Sequence, residues 1–235
     1  MPRADGAGGV ALLREAYELG VRLFDSAWAY GPETADQILG EALGDTDAVF
    51  ATKGGVTKER ASDGSMRILT DGSRETLLAQ IEGARRNLRR GRIELFQLHR
   101  VDPEVAIERS VEALAEARDR GWIGHIGLSN VTREDLDRAR AVAPIASVQN
   151  RFNMAETAQN DLVDYTAAEG IAFLPYGPLG AAPMQQWAKL SPRDALAWLL
   201  RRSPNIIVIA GTTSIAHLRE NWLAWDDVAH AEVAA

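Results

Sequence analysis

Three short apolar segments in the first hundred residues each run out on a side chain that can hold or move a proton. Leu23-Phe24-Asp25 leads through a turn to Tyr30 and Gly31, Phe50-Ala51-Thr52 stops at Lys53, and Leu95-Phe96-Gln97-Leu98 stops at His99. Between them lie stretches with apolar residues at helical spacing, such as Ala35, Ile38, Leu39 and Ala42, then Leu77, Ile81, Ala84 and Leu88. Strands that alternate with helices lie parallel, and a barrel built from them opens all its strand C-termini on one face. The pattern predicts an α/β fold of the (β/α)8, TIM-barrel type, with the site at those strand ends.

The same alternation continues to the C-terminus. Strands are read beginning near Val21, Ala48, Ile93, His125, Ala146, Ile171 and Ile206, which makes seven where a closed barrel has eight. Ser73, Thr132 with Asp135, and Ser191 with Pro192 read as helix starts, as do Asp102 with Pro103, and Ser214. A helix near Asn160 to Ala168 is closed by Gly170. Gly54 to Gly72 is the longest irregular stretch, and a loop of that length after a strand lies over the barrel mouth. Residues 1–9 read as a flexible Gly- and Ala-rich arm, 10–228 as one barrel domain and 229–235 as a C-terminal tail.

The order of these groups resembles the tetrad of the aldo-keto reductase superfamily, in its bacterial aldehyde- and pyridoxal-reductase-like members. The resemblance continues through His99-Arg100-Val101-Asp102-Pro103, Gly127-Leu128-Ser129-Asn130, Ser147-Val148-Gln149-Asn150, Pro175-Tyr176-Gly177-Pro178-Leu179-Gly180 and Gly211-Thr212-Thr213-Ser214. It implies that Tyr30 is the proton donor, that Lys53 and Asp25 tune it, and that His99 orients the substrate. The chemistry is coherent: a phenol is a poor acid, with a reference pKa of about 10, and a nearby ammonium stabilises its phenolate. No side chain can supply hydride, so a cofactor must, and the chain lacks a G-x-G-x-x-G turn after a strand.

By resemblance the cofactor is NADPH, with NADH an alternative. Ser129, Asn130 and Gln149 match residues that bond its carboxamide, and Tyr176 matches the ring that stacks on its nicotinamide. Gly177, Pro178, Leu179 and Gly180 match the loop along the pyrophosphate. Gly211, Thr212, Thr213 and Ser214 lead into a helix N-terminus suited to phosphate. Many members carry a cation where this chain has Ser214 or His217, and Glu220 and Asn221 match residues near the adenine. Trp28 and Arg100 are candidates for the substrate wall, and Arg151 and Phe152 also follow a strand end and could line the mouth. Trp187, Trp198, Trp222 and Trp225 read as helix packing. The resemblance of Val101-Asp102-Pro103 to pyridoxal reductases implies a small aromatic aldehyde.

Other readings stay open: the same barrel used for a dehydration, epimerisation or lyase reaction, or a non-catalytic subunit that binds cofactor. Family members begin with a Gly-rich strand, and no such strand precedes the first helix here. This expectation leaves a smaller barrel, a second copy covering the open edge as a homo-oligomer, or a start upstream of Met1. A formal net charge of −7 argues against nucleic acid or an anionic membrane as partner. The absence of cysteine excludes disulfides and thiolate ligands, and no His/Asp/Glu cluster has metal-ligand spacing. With no apolar run of membrane length and no leader-like start, the expectation is a cytoplasmic enzyme with a small-molecule carbonyl substrate.

Overall fold

In the computed structural model, residues 6–31, 34–60, 64–180 and 191–233 are described. The described residues fall into two compact units, one within 6–146 and one within 147–233. In the first unit α1 (Gly6–Leu19), β1 (Leu23–Asp25), α2 (Thr34–Leu43) and β2 (Val49–Gly54) are followed by a hairpin, β3 (Val56–Arg60) and β4 (Met66–Thr70). Then come α3 (Arg74–Asn87), β5 (Ile93–Leu98), α4 (Ile107–Asp119), β6 (Ile123–Ser129) and α5 (Arg133–Arg140). The strands other than the hairpin run parallel in the order β1-β2-β5-β6, each step to the next strand bridged by at least one helix. Their cores are apolar, with Phe50, Ala51, Phe96, Leu98 and Leu128 carrying no exposed surface.

Local signals set the helix starts. The Ser73 hydroxyl accepts from the Thr76 amide, and Thr132 with Asp135 closes a reciprocal capping box at α5. The buried face of α2 is rotated from the expected stripe: Asp36, Leu39, Gly40, Ala42 and Leu43 point inward, and Ala35 and Ile38 are half-buried. Gly40 belongs to that face because α2 crosses the end of α3 closely. A β-carbon there would lie 2.1 Å from the Asn87 carbonyl oxygen.

Several expectations are corrected. Residues 6–9, read as arm, form the first turn of α1, while residues 1–5 lie outside the described residues. The stretch from Gly54 to Gly72 holds the β3–β4 hairpin, in which Lys58 pairs with Ile68 and Thr57 with Leu69. Its run of polar residues hid an antiparallel pair whose outer strand is almost wholly exposed. Asp102 does not cap a helix opened by Pro103. α4 starts at Ile107, and the Asp102 carboxylate instead accepts from the Gly72 and Glu104 amides at 2.8 and 2.9 Å.

In the second unit β7 (Ile145–Gln149), which begins at the boundary, pairs in parallel with β8 (Ala172–Phe173). α6 (Asn160–Ala168) matches its expected span, and a capping box of Ser191 with Asp194 opens α7 (Pro192–Arg202). Ile206–Ala210 was expected as a strand and is not one: its pairing is a single bridge from Ile206 to Phe173, because β8 is only two residues long. α8 (Ile215–Val233) follows Ser214 and carries residues 229–233, expected as tail, in helix. Arg193 and Asp227 form a bidentate ion pair joining α7 to α8. The expectation for Trp187 lies outside the described residues. Among the described residues no strand precedes α1, and no helix is long and apolar enough to cross a membrane.

Candidate active site

The first unit brings the three strand ends together. Beyond β1 the chain stays beside β2, the Ser26 amide donating to the Ala51 carbonyl at 2.8 Å and the Trp28 amide to the Lys53 carbonyl at 2.9 Å. Asp25 and Ser26 are thereby held against Lys53. The Lys53 ammonium donates to Asp25 Oδ2 at 2.6 Å and to the Ser26 carbonyl at 2.7 Å, and the lysine has no exposed surface. Gln97 Nε2 donates to the other Asp25 oxygen at 3.3 Å. A buried ammonium needs this enclosure of acceptors to stay charged.

Tyr30 leans over this pair, 40% exposed, with Lys53 Nζ 5.1 Å from its ring centroid. The His99 imidazole meets the same ring edge-on, centroids 5.9 Å apart at 85°. The His99 amide donates to the Gly54 carbonyl at 2.8 Å, so its backbone is pinned beside the end of β2. Burial first, and then the charges of Lys53, Arg100 and Lys58, push the imidazole down to about 3. It is therefore neutral at physiological pH, one ring nitrogen a donor and the other an acceptor. Its Nδ1 is buried and makes no hydrogen bond among the described residues.

Three neighbours were not singled out from the sequence. Asp36 has no exposed surface, and its oxygens accept from the Thr52 hydroxyl at 3.1 and 3.3 Å. Burial pushes its carboxyl up, and the Thr52 hydroxyl and Lys53 charge oppose that. An acid on a helix otherwise striped with apolar residues reads as solvent-facing, and only the rotation of α2 reveals it. Gln97, two positions before His99 and fully buried, reaches Asp25 from the end of β5. Lys58, whose ammonium lies 5.8 Å from the Tyr30 centroid, was part of the stretch read as loop.

Ser129 and Asn130 end β6 next to these groups. Asn130 Nδ2 donates to the His99 carbonyl at 3.0 Å and to Ser129 Oγ at 3.1 Å, and Asn130 adopts φ 57°, which asparagine tolerates. Trp28 packs on α3, where a β-carbon at Gly83 would sit 2.6 Å from the indole. Its packing role is thus explicit, and it keeps a half-exposed edge. Arg100 is exposed just beyond His99.

In the second unit Gln149 is buried at the end of β7, and Tyr176 is half-buried with the Arg151 guanidinium 5.6 Å from its ring centroid. Gly177 to Gly180 form a turn closed by the Gly180 amide on the Gly177 carbonyl at 2.9 Å, with both glycines at positive φ. Pro178 and Leu179 are its middle residues. Gly211, Thr212 and Thr213 lead to α8, where the Ser214 amide donates to Thr212 Oγ1 at 3.1 Å. His217 is exposed one turn into the helix, its amide donating to Ser214 Oγ at 3.4 Å, and Glu220 and Asn221 are half-exposed beyond it. Phe152 corrects the expectation that it lines the mouth: it is fully buried, edge-on to Phe173 and stacked on Trp198, which fits the packing role read for Trp198.

Residues 7–194 match the model of the aldo/keto reductase family. The chain is 38% identical over 241 residues to pyridoxine 4-dehydrogenase of Escherichia coli, covering 95% of this chain and 83% of that protein. It superposes on a glycerol dehydrogenase from Gluconobacter oxydans with a TM-score of 0.84 at 23% identity, over 96% of this chain and 84% of the other. An aldo/keto reductase from Klebsiella pneumoniae, solved in complex with NADP and acetate, matches with a TM-score of 0.76 at 22% identity, over 94% and 80% of the two chains.

Proposed function

The chain belongs to the aldo/keto reductase family, a family of NAD(P)H-dependent oxidoreductases on (β/α)8 barrels, and from that premise we propose that it reduces an aldehyde or ketone to the alcohol with Tyr30 as proton donor. The observation that carries this reading is the cluster of Tyr30, His99 and the enclosed Lys53–Asp25 pair at three strand ends. A reduced nicotinamide, when bound, would supply the hydride for the carbonyl carbon. The Tyr30 hydroxyl gives its proton to the carbonyl oxygen as negative charge grows there. The Lys53 ammonium beside the ring stabilises the phenolate left behind, and Asp25 and the Ser26 carbonyl keep that ammonium in place. Neutral His99 donates its ring N–H to the same oxygen and fixes the carbonyl's angle.

The donor set suits a dinucleotide in kind. Ser129, Asn130 and Gln149 offer hydroxyl and amide groups for a carboxamide, and the Tyr176 ring offers a stacking face. Gly177, Pro178, Leu179 and Gly180 give close backbone approach. Gly211, Thr212, Thr213 and Ser214 lead to the amides at the α8 N-terminus, with His217, Glu220 and Asn221 one turn on. We assign NADPH as the preferred cofactor, which the NADP-bound Klebsiella neighbour supports, and accept NADH as a second donor. The E. coli relative's activity on pyridoxine supports a small aromatic aldehyde as substrate.

The test is Tyr30→Phe, which keeps the ring and removes the proton. Turnover of any accepted aldehyde should fall by about 10²- to 10⁴-fold, with NADPH affinity, followed by cofactor fluorescence, little changed. Near-normal turnover in that variant would remove Tyr30 from the role.

A further inference from the structure

The β3–β4 hairpin and the residue after His99 bring two cations to the reactive groups that the carbonyl chemistry does not use. Lys58 reaches from β3 to within 5.8 Å of the Tyr30 ring centroid. Arg100 follows His99 directly and is exposed. Both are close enough to the imidazole to act, with Lys53, against its protonation. Among the described residues no carboxylate pairs with either; Asp25 is engaged by Lys53 and Gln97. Lys53 is enclosed with no exposed surface, whereas Lys58 is only half-buried and Arg100 is exposed.

A second observation concerns the face that carries Lys58. Directly paired residues in an antiparallel ladder point to the same side, and Lys58 pairs with Ile68. Ile68 is 56% exposed, a bare apolar surface beside an unpaired ammonium. Such a combination suits a ligand with an apolar body and an anionic end. On the reading of Tyr30 and His99 as the carbonyl-binding groups, we propose that the substrate is a compact carbonyl compound bearing a carboxylate or phosphate, its anion held by Lys58 and Arg100 and its body against Ile68. Held this way, the anion orients the carbonyl toward Tyr30 and His99.

Matched substrate pairs test this: 4-carboxybenzaldehyde against benzaldehyde, and glyceraldehyde 3-phosphate against glyceraldehyde, each with NADPH and with NADH. The wild type should favour the charged member of at least one pair in kcat/KM, and which pair does so separates a carboxylate from a phosphate preference. Lys58→Met combined with Arg100→Met should lower that charged-to-neutral ratio about tenfold, a loss typical of one charge-assisted contact. Lys58→Arg with Arg100 intact should keep it, and raised salt should shrink it. A wild-type ratio near one in both pairs, or a ratio unmoved by the double substitution, overturns the proposal. If none of the four aldehydes turns over, the reductase reading is what fails, and the anion site is judged by calorimetric titration with 4-carboxybenzoate and with inorganic phosphate. Binding of either that the double substitution weakens then supports the site. No binding, or equal binding by both proteins, refutes it.

Discussion

The base of the candidate site and the hairpin beside it invert the usual distribution of polarity. At the base, Lys53 and Asp36 have no exposed surface and Asp25 keeps only 11% of its side-chain surface. In the hairpin, Met66, Ile68 and Leu69 are 51%, 56% and 41% exposed. Buried charge is costly unless every member is paired, and each of these groups has a named partner: Lys53 with Asp25, Asp25 with Gln97, Asp36 with Thr52. The hairpin has only its own ladder and few buried contacts. The difference teaches that removing any one group of the base strands another, while the hairpin can change its surface at little cost to the fold.

The sharpest break is at the base. Lys53→Met leaves the Asp25 carboxylate without its cation and should cost about 3 kcal/mol of stability, read by chemical denaturation, besides abolishing most turnover. Asp36→Ala strands the Thr52 hydroxyl in the interior and should cost about 2 kcal/mol. Asp36→Asn should cost less, because its amide still pairs with Thr52.

The pH dependence comes next. His99 titrates at about 3 in the folded chain and at about 6.5 when unfolded. As pH falls, the unfolded chain binds the proton first, so this group's stabilisation is full above about pH 6.5 and is lost from there down toward 3, at about 1.4 kcal/mol per pH unit. Denaturation at pH 7 and pH 5 should therefore show a difference in wild type that His99→Gln reduces by about 2 kcal/mol. The smallest effect belongs to the hairpin: Ile68→Ser should leave stability within about 0.5 kcal/mol. A larger loss on thermal melting would mean that the hairpin is part of the core after all and would erase the contrast.

Features set by neighbours in sequence were legible. The caps at Ser73, Thr132 and Ser191 depend on residues three positions apart, and the run of α6 from Asn160 to Ala168 on local spacing. The strand ends at Lys53 and His99 were legible for a similar reason: an apolar run that stops on an ionisable residue marks its own terminus. The hairpin was missed because, Val56 apart, it buries little, and the apolar Met66, Ile68 and Leu69 of β4 lie exposed rather than marking a core face. Ile206–Ala210 was over-read in the opposite sense, since an apolar β-branched run becomes a strand only where a partner of matching length exists, and β8 offers two residues.

The sequence by itself determined the alternation of strands and helices, the helix caps, and which residue types stand at the strand ends, because each depends on near neighbours. It also placed the chain in its family, through motifs kept in order along its length. Tertiary structure alone decided that Lys53 meets both Asp25 and the Ser26 carbonyl, that Asp36 turns inward to Thr52, and that Lys58 comes over Tyr30 beside a bare Ile68. Those contacts depend on sheet register, on the rotation of α2 and on the fold of the hairpin. Each is fixed by packing between segments tens of residues apart, which no local pattern encodes.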